Sequence, residues 1–270
     1  MIPGPMTIAC DRFSTYEMRF EQDGLRHTKC EPHVVVAEVL AGRYEMSIDG
    51  EQVVVSPGEW YVSNSYAHRV IVHRRAENGP MRARWFKVRY VLPDGTDFCS
   101  LWEFPKVCKG DIAEQLAQLW RKGLRTPNTN TAAAAVATQS AAMQLLEILC
   151  STGRPVEDWE QKMKSARRLS KVARYVDAHL TNDLSPAELA KAMSVSESHL
   201  YTLFRNDIGM SPAVFVKHRR IQTASELLEG TNRSVKEIAA RVGFANPYHF
   251  SREFHAIRGV SPTEYRQQQQ

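Results

Sequence analysis

The sequence predicts an α+β protein of two domains: an N-terminal antiparallel β-barrel with accompanying helices, and a C-terminal, all-helical pair of helix-turn-helix units. Three observations carry this prediction. Between Val34 and Val91 the chain is a series of short β-rich runs separated by turn residues; from Asp111 onward the apolar spacing turns helical; and the C-terminal part contains a segment that recurs 49 to 50 residues later. With 270 residues and 43% hydrophobic content, the chain can bury two cores.

The β-rich runs are Val34–Leu40, Tyr44–Ile48, Gln52–Val55, Trp60–Val62, Arg69–Val72 and Arg82–Val91, broken by Ala41-Gly42, Asp49-Gly50 and Ser56-Pro57-Gly58. Asp-Gly between two such runs marks a hairpin. Six strands with no helix between them predict an antiparallel sandwich or barrel. On the last strand Arg82, Arg84, Lys87 and Arg89 are split between both faces by alternation, the pattern of a charged edge strand. Helices are expected over Asp111–Arg121 and Thr131–Cys150, the second bearing Met143, Leu145, Leu146, Ile148 and Leu149, to pack on the barrel or to pair two subunits. Ser151-Thr-Gly-Arg-Pro155 then breaks the helix, which places the domains at 1–150 and 166–270 with a linker over 151–165. The final run of glutamines, Gln267–Gln270, reads as a frayed tail.

Charge is unevenly divided. From Glu160 to Gln270 there are 17 lysines and arginines against 11 acidic residues, and in the remainder 18 against 19, so the basic excess lies where a polyanion would dock. Five cysteines (Cys10, Cys30, Cys99, Cys108, Cys150) without a C-x-x-C pair argue against a disulfide framework and a compact zinc site. The apolar runs, such as Val34–Leu40, fall short of the roughly 20 residues that cross a bilayer, and the N-terminus lacks the order of a signal peptide, so a cytoplasmic protein with no membrane partner is expected.

In the repeat, Ser185, Glu188, Ala190 and Met193 return as Ser234, Glu237, Ala239 and Val242, and His199, Phe204, Gly209, Ser211 and Pro212 return as His249, Phe254, Gly259, Ser261 and Pro262. Each copy reads as a short helix, a tight turn and a second helix. Ser185 and Ser234 cap the first helices, with Glu188 and Glu237 placed for a capping box. Small Ala190 and Ala239 let the second helix approach closely, and Ser194-Val195 and Gly243-Phe244 make the turns. The second helices open at Ser196 and at Asn246-Pro247, bury Leu200, Leu203, Phe204 and Ile208 in one copy and Phe250, Phe254 and Ile257 in the other, and end at Gly209 and Gly259. Between the copies, Ser211-Pro212 starts a helix to Glu229 that carries an apolar stripe and a basic cluster, Lys217-His-Arg-Arg220, and would hold the two units at a fixed separation. The unburied faces, Glu197, Ser198, Tyr201, Thr202 and Arg205, and Tyr248, His249, Ser251 and Arg252, are rich in hydrogen-bonding groups, as major-groove reading requires.

Glu237-Ile-Ala-Ala-Arg-Val-Gly-Phe244, Tyr248-His-Phe-Ser-Arg-Glu-Phe254 and Gly259-Val-Ser-Pro-Thr-Glu-Tyr-Arg266 make the segment from about Arg167 to Arg266 resemble the DNA-binding domain of the AraC/XylS transcription regulators. The resemblance implies two recognition helices in successive major-groove segments of one duplex. By position, base-facing residues fall on Ser198, Tyr201 and Thr202 and on Tyr248, His249 and Arg252, with Arg205 gripping phosphate and Ser196 and Asn246 opening the two helices. Arg252 is the foremost guanine contact.

The N-terminal part resembles the cupin-type effector domain of this family through Leu40-Ala-Gly-Arg-Tyr44, Asp49-Gly50 and Pro57-Gly58 followed by His68. Where metal-binding cupins carry two histidines and a glutamate, this chain has Lys29, Glu31 and Val35, so neither a metal nor another cofactor, and no cupin enzyme chemistry, is expected. The resemblance implies a barrel that binds a small effector, with His33, Glu38, Tyr44, Trp60, His68 and Trp85 as candidate contacts; their rings and polar groups suit a sugar or other small polar metabolite. Control would run through the barrel or an N-terminal arm, Met1–Thr15, that holds the reading heads. Expected partners are double-stranded DNA, a second copy of the chain and, for an activator, RNA polymerase. The competing readings are a cupin enzyme and a constitutive DNA binder whose barrel only pairs subunits.

Overall fold

The computed structural model describes residues 6–123, 131–207 and 209–267. They form two units: one holds the chain up to Leu25, Pro32–Tyr66 and Val72–Arg167, the other Arg26–Glu31, Ala67–Ile71 and the chain from Arg168 onward.

In chain order the elements up to Ala178 are β1 (Ala9–Phe20), β2 (Leu25–Lys29), β3 (Val34–Ala41), β4 (Arg43–Ile48), β5 (Glu51–Val55), β6 (Trp60–Ser63), β7 (Arg69–Arg74), β8 (Met81–Val91), β9 (Trp102–Glu103), β10 (Val107–Cys108), α1 (Asp111–Gly123), α2 (Ala132–Thr152), β11 (Arg154–Pro155) and α3 (Trp159–Ala178). One sheet runs β1-β8-β3-β6-β10 and another β2-β7-β4-β5. The strands are antiparallel as expected, but among the described residues the sheets are open, not closed into a barrel.

Alternation gives the five-stranded sheet two different apolar faces. Val34, Val36, Trp60, Val62, Phe86, Val88 and Tyr90 join Leu116, Trp120, Ala142, Leu145 and Leu149 of α1 and α2 in one core. The opposite face carries Tyr61, which meets Tyr44 of β4 edge-on at 5.6 Å, so the second sheet covers it.

Four expectations change here. β8 is an interior strand, and its arginines pair with acids on the flanking strands: Arg84 with Glu38 at 2.5 Å, Arg82 with Glu17 at 3.2 Å and Arg89 with Asp11 at 3.3 Å. Ala9–Thr15, expected in a free arm, is the first half of β1 and pairs with β8, while residues 1–5 lie outside the described ones. The expected linker is structured: Arg154 and Pro155 pair with Glu103 and Trp102, and α3 begins at Trp159. Helix α2, with a mean hydropathy of 1.3, is long and apolar enough to cross a membrane by length and composition alone, although Ala141, Ala142, Leu145, Leu146 and Leu149 pack in the core.

The remaining helices are α4 (Pro186–Met193), α5 (Glu197–Asp207), α6 (Pro212–Gly230), α7 (Val235–Arg241), α8 (Pro247–Arg258) and α9 (Pro262–Gln267). Leu189, Ala190, Leu200, Phe204, Phe215 and Val216 are buried in the first helix-turn-helix, where Phe204 meets Phe215 edge-on at 5.3 Å; Ile208 lies outside the described residues. In the second, Ile221, Ala224 and Leu228 of α6 pack with Ile238, Ala239, Val242, Phe244, Phe250, Phe254 and Ile257. Thus α6 supplies apolar side chains to both copies.

Candidate nucleic-acid interface

Each helix-turn-helix is set by a chain of local hydrogen bonds. Ser234 Oγ accepts from the Glu237 amide at 3.2 Å and Glu237 Oε2 accepts from the Ser234 amide at 2.8 Å, a complete capping box at α7. At α4 only half of it forms: Ser185 Oγ accepts from the Glu188 amide at 3.4 Å, while the Ser185 amide donates to Asp183 Oδ1 at 3.0 Å instead. A second complete box, Ser261 with Glu264, opens α9. The turns are left-handed at Ser194 (φ 56°) and Gly243 (φ 82°).

Two of the nine expected DNA-facing residues act as caps. Ser196 Oγ accepts from the His199 amide at 3.2 Å, and Asn246 Oδ1 accepts from the amides of Tyr248 and His249 at 2.8 and 3.3 Å. The other seven, Ser198, Tyr201, Thr202 and Arg205 on α5 and Tyr248, His249 and Arg252 on α8, are exposed, Tyr201 at 45% and Tyr248 at 83%. Thr202 Oγ1 donates to the Ser198 carbonyl at 3.0 Å, so its hydroxyl hydrogen is spent within α5 while its methyl and oxygen lone pair remain available. Ser251 likewise donates to the Pro247 carbonyl at 2.9 Å.

His249 is held from two sides. Its Nε2 lies 3.4 Å from Glu253 Oε1, and its ring meets Phe244 at 5.6 Å. Glu253 also takes Lys217 Nζ at 2.7 Å, and the hydrogen bond from Lys217 holds its carboxyl below the usual range. A carboxylate beside the reading face is thereby matched by a lysine from α6.

The cations of the basic cluster on α6 are engaged within the fold. Besides Lys217, Arg219 is 6% exposed and binds Asp177 of α3 through two bonds at 2.8 and 2.5 Å; Arg220 donates to the carbonyls of Leu180 and Asn182 at 3.1 and 3.0 Å; and His218 is buried. Because α6 is packed between the copies, its cations fasten neighbouring helices and loops. Sequence reasoning also passed over Asn206 and His255, which are exposed on α5 and α8; helical spacing from Thr202 and Arg252 would have found both.

The effector candidates are divided in space. Tyr44 and Trp85 lie between the two sheets, Tyr44 beside His73 at 5.0 Å and Trp85 beside Phe20 at 6.5 Å and Tyr16 at 5.8 Å. Trp60 and Glu38 are on the helix-facing side, where Arg84 bonds Glu38 and lies over the rings of Trp60 and Trp120. His33 is buried in the first unit, and His68, half-buried, belongs to the second.

Residues 189–268 match the family model of a helix-turn-helix domain. The HTH-type transcriptional activator AarP of Providencia stuartii is 33% identical over 98 residues, 36% of this chain and 73% of that protein. The chain belongs to the AraC/XylS family of transcription regulators. A further relative, a probable transcriptional regulator LumQ of Photobacterium leiognathi, is 25% identical over 239 residues, 87% of this chain and 88% of that protein. Other AraC/XylS-type relatives are covered for only 32 to 40% of their length. The fold as a whole is similar to ToxT from Vibrio cholerae, with a TM-score of 0.68 at 11% identity over 96% of this chain and 98% of that one. The AraC/XylS chain described here is accordingly a transcription regulator with an AraC-type DNA-binding domain behind a sheet-rich N-terminal unit.

Proposed function

We propose that this chain reads specific DNA sites as a cytoplasmic homodimer, controlled by a small molecule held in its N-terminal unit, and that it is not an enzyme. The observation that carries the reading is the pair of exposed polar faces, Ser198 to Arg205 on α5 and Tyr248 to Arg252 on α8, each on the second helix of a capped helix-turn-helix. Pairing of subunits is supported by Val136 and Met143, two turns apart on α2 and 69% and 41% exposed. As an activator, the bound dimer would meet RNA polymerase.

For the effector, Tyr44 and Trp85 with Tyr61 and His73 supply rings that suit the apolar face of a sugar. A second reading, a constitutive regulator, draws on the same observation, since these rings touch one another between the sheets. A thermal-shift screen of the full chain separates them, because a ligand that binds the folded state raises the melting temperature as its concentration rises relative to its dissociation constant. The panel takes sugars, small metabolites and fatty acids, the last because ToxT has been solved with an unsaturated fatty acid bound. A concentration-dependent shift supports control by a small molecule; its absence throughout favours the constitutive reading. DNA reading is tested separately by selection from a randomised duplex library, where failure to enrich any sequence would sink it.

A further inference from the structure

Glu31 is a buried acid, 2% exposed, with an arginine on each side. Its Oε2 accepts from Arg69 Nη2 at 2.7 Å, and its Oε1 lies 3.6 Å from Arg258 Nη1. Arg258 is itself 5% exposed and closes α8. Its Nε donates to Ser225 Oγ at 2.9 Å and its Nη2 to Gln222 Oε1 at 2.5 Å, both on α6. All these residues belong to the second unit, which includes the early segments Arg26–Glu31 and Ala67–Ile71.

The charge arithmetic is unusual. Two guanidinium groups, which cannot shed their protons, share one carboxylate away from water. Arg258 has two further hydrogen bonds to α6 and stays where it is; without Glu31, its charge and that of Arg69 lose the carboxylate that lies between them. Serine and glutamine neighbours bond a guanidinium but do not neutralise it.

We propose that Glu31 is a positioning residue for the second reading helix: its carboxylate, shared by Arg69 and Arg258, seats the C-terminal turn of α8 and couples that seat to the segments Arg26–Glu31 and Ala67–Ile71 of the same unit. The inference rests on α8 reading DNA. It adds a route by which a shift in either segment would alter one half of the recognised site and leave the α5 half alone. Arg258 thus serves the helix from inside, and is no candidate for DNA contact.

The test uses the full-length chain and the duplex it enriches from a randomised library. Glu31→Gln is expected to weaken binding about tenfold or more, with base-by-base protection lost on the half contacted by α8 and kept on the half contacted by α5. Glu31→Asp, which keeps the charge, should retain most of the affinity, and Glu31→Gln with Arg69→Gln should recover part of the loss by removing one of the two cations. Unchanged affinity and footprint in Glu31→Gln would overturn the proposal. So would equal loss on both halves accompanied by a lower melting temperature and no recovery in the double variant, which marks a general structural role. If the wild-type chain enriches no sequence, the failure belongs to the DNA-reading assignment instead.

Discussion

Ser194 and Gly243 occupy the same place in the two helix-turn-helix copies and share a left-handed backbone, but a β-carbon on Gly243 would stand 2.0 Å from the Leu180 carbonyl oxygen. Glycine is required at that turn for two reasons, conformation and close approach, whereas at Ser194 only conformation is at issue. Gly243→Ala is therefore expected to destabilise by more than about 2 kcal/mol, since the strain of a left-handed alanine adds to a backbone clash. Ser194→Gly relieves roughly 1–2 kcal/mol of strain but loosens the unfolded chain by about 0.4–1 kcal/mol, for a net gain between about 0 and about 1.6 kcal/mol. Urea midpoints of the two variants check both signs; a stable Gly243→Ala would mean that the Leu180 turn moves freely.

The capping bonds make a second contrast between the copies. Glu237 closes its box on Ser234, and Glu188, exposed, does not reach the Ser185 amide, which is taken by Asp183. Replacing either serine by alanine should cost about 1 kcal/mol. The acids should differ: Glu237→Ala is expected to lower stability measurably and Glu188→Ala to leave it within about 0.5 kcal/mol of wild type. Equal losses at the two acids, in the same denaturation assay, would contradict the geometry.

A third prediction concerns acid. Burial, with Arg258, His68 and Lys217 nearby, pushes His218 down from 6.5 to about 4. Between those values the unfolded chain holds a proton that the folded chain refuses, so stability must fall as pH drops through that window and level off above it. The depression corresponds to a loss on the order of 3 kcal/mol once both states are protonated. His218→Gln should flatten the slope between about pH 4 and pH 6.5, read as denaturation midpoints across a pH series. An undiminished slope in that variant would assign the acid sensitivity to other groups.

What was legible in the sequence was what is local. Ser185, Ser234, Gly209 and Gly259 mark helix ends through bonds to residues within five positions, so their spacing alone located the repeat and its helices. Alternation in the six β-rich runs was legible for the same reason, but five further strands, β1, β2, β9, β10 and β11, were not picked out. Partners distant in the chain were not: nothing near Arg219 announces Asp177, 42 residues earlier, and nothing near Arg84 announces Glu38, 46 residues earlier. A run such as Lys217-His-Arg-Arg220 reads only as a basic cluster, and the fold alone shows the carboxylates and carbonyls that engage Lys217, Arg219 and Arg220. Strand order had the same difficulty, since an interior β8 depends on β1, which lies before the first β-rich run that the pattern picked out.

Arg205 and Arg252 are both exposed arginines on second helices, without a partner among the described residues, and their positions along the helix separate their expected roles. Arg252 follows Tyr248 by one turn on the face whose first turn is capped by Asn246, so its fork is placed to reach base edges; a bidentate contact to guanine contributes roughly 1–3 kcal/mol of discrimination. Arg205 sits in the last turn of α5, farther from the helix start that enters the groove, and suits a phosphate, which carries charge but no sequence information. Arg252→Ala should therefore relax the preference for one base pair in the selected duplex. Arg205→Ala should weaken all duplexes alike and reduce the slope of log affinity against log salt by about one. Titrations against the selected duplex and its single-base variants at several salt concentrations distinguish the two patterns. If Arg205→Ala changes base preference and Arg252→Ala changes only the salt slope, the roles are exchanged.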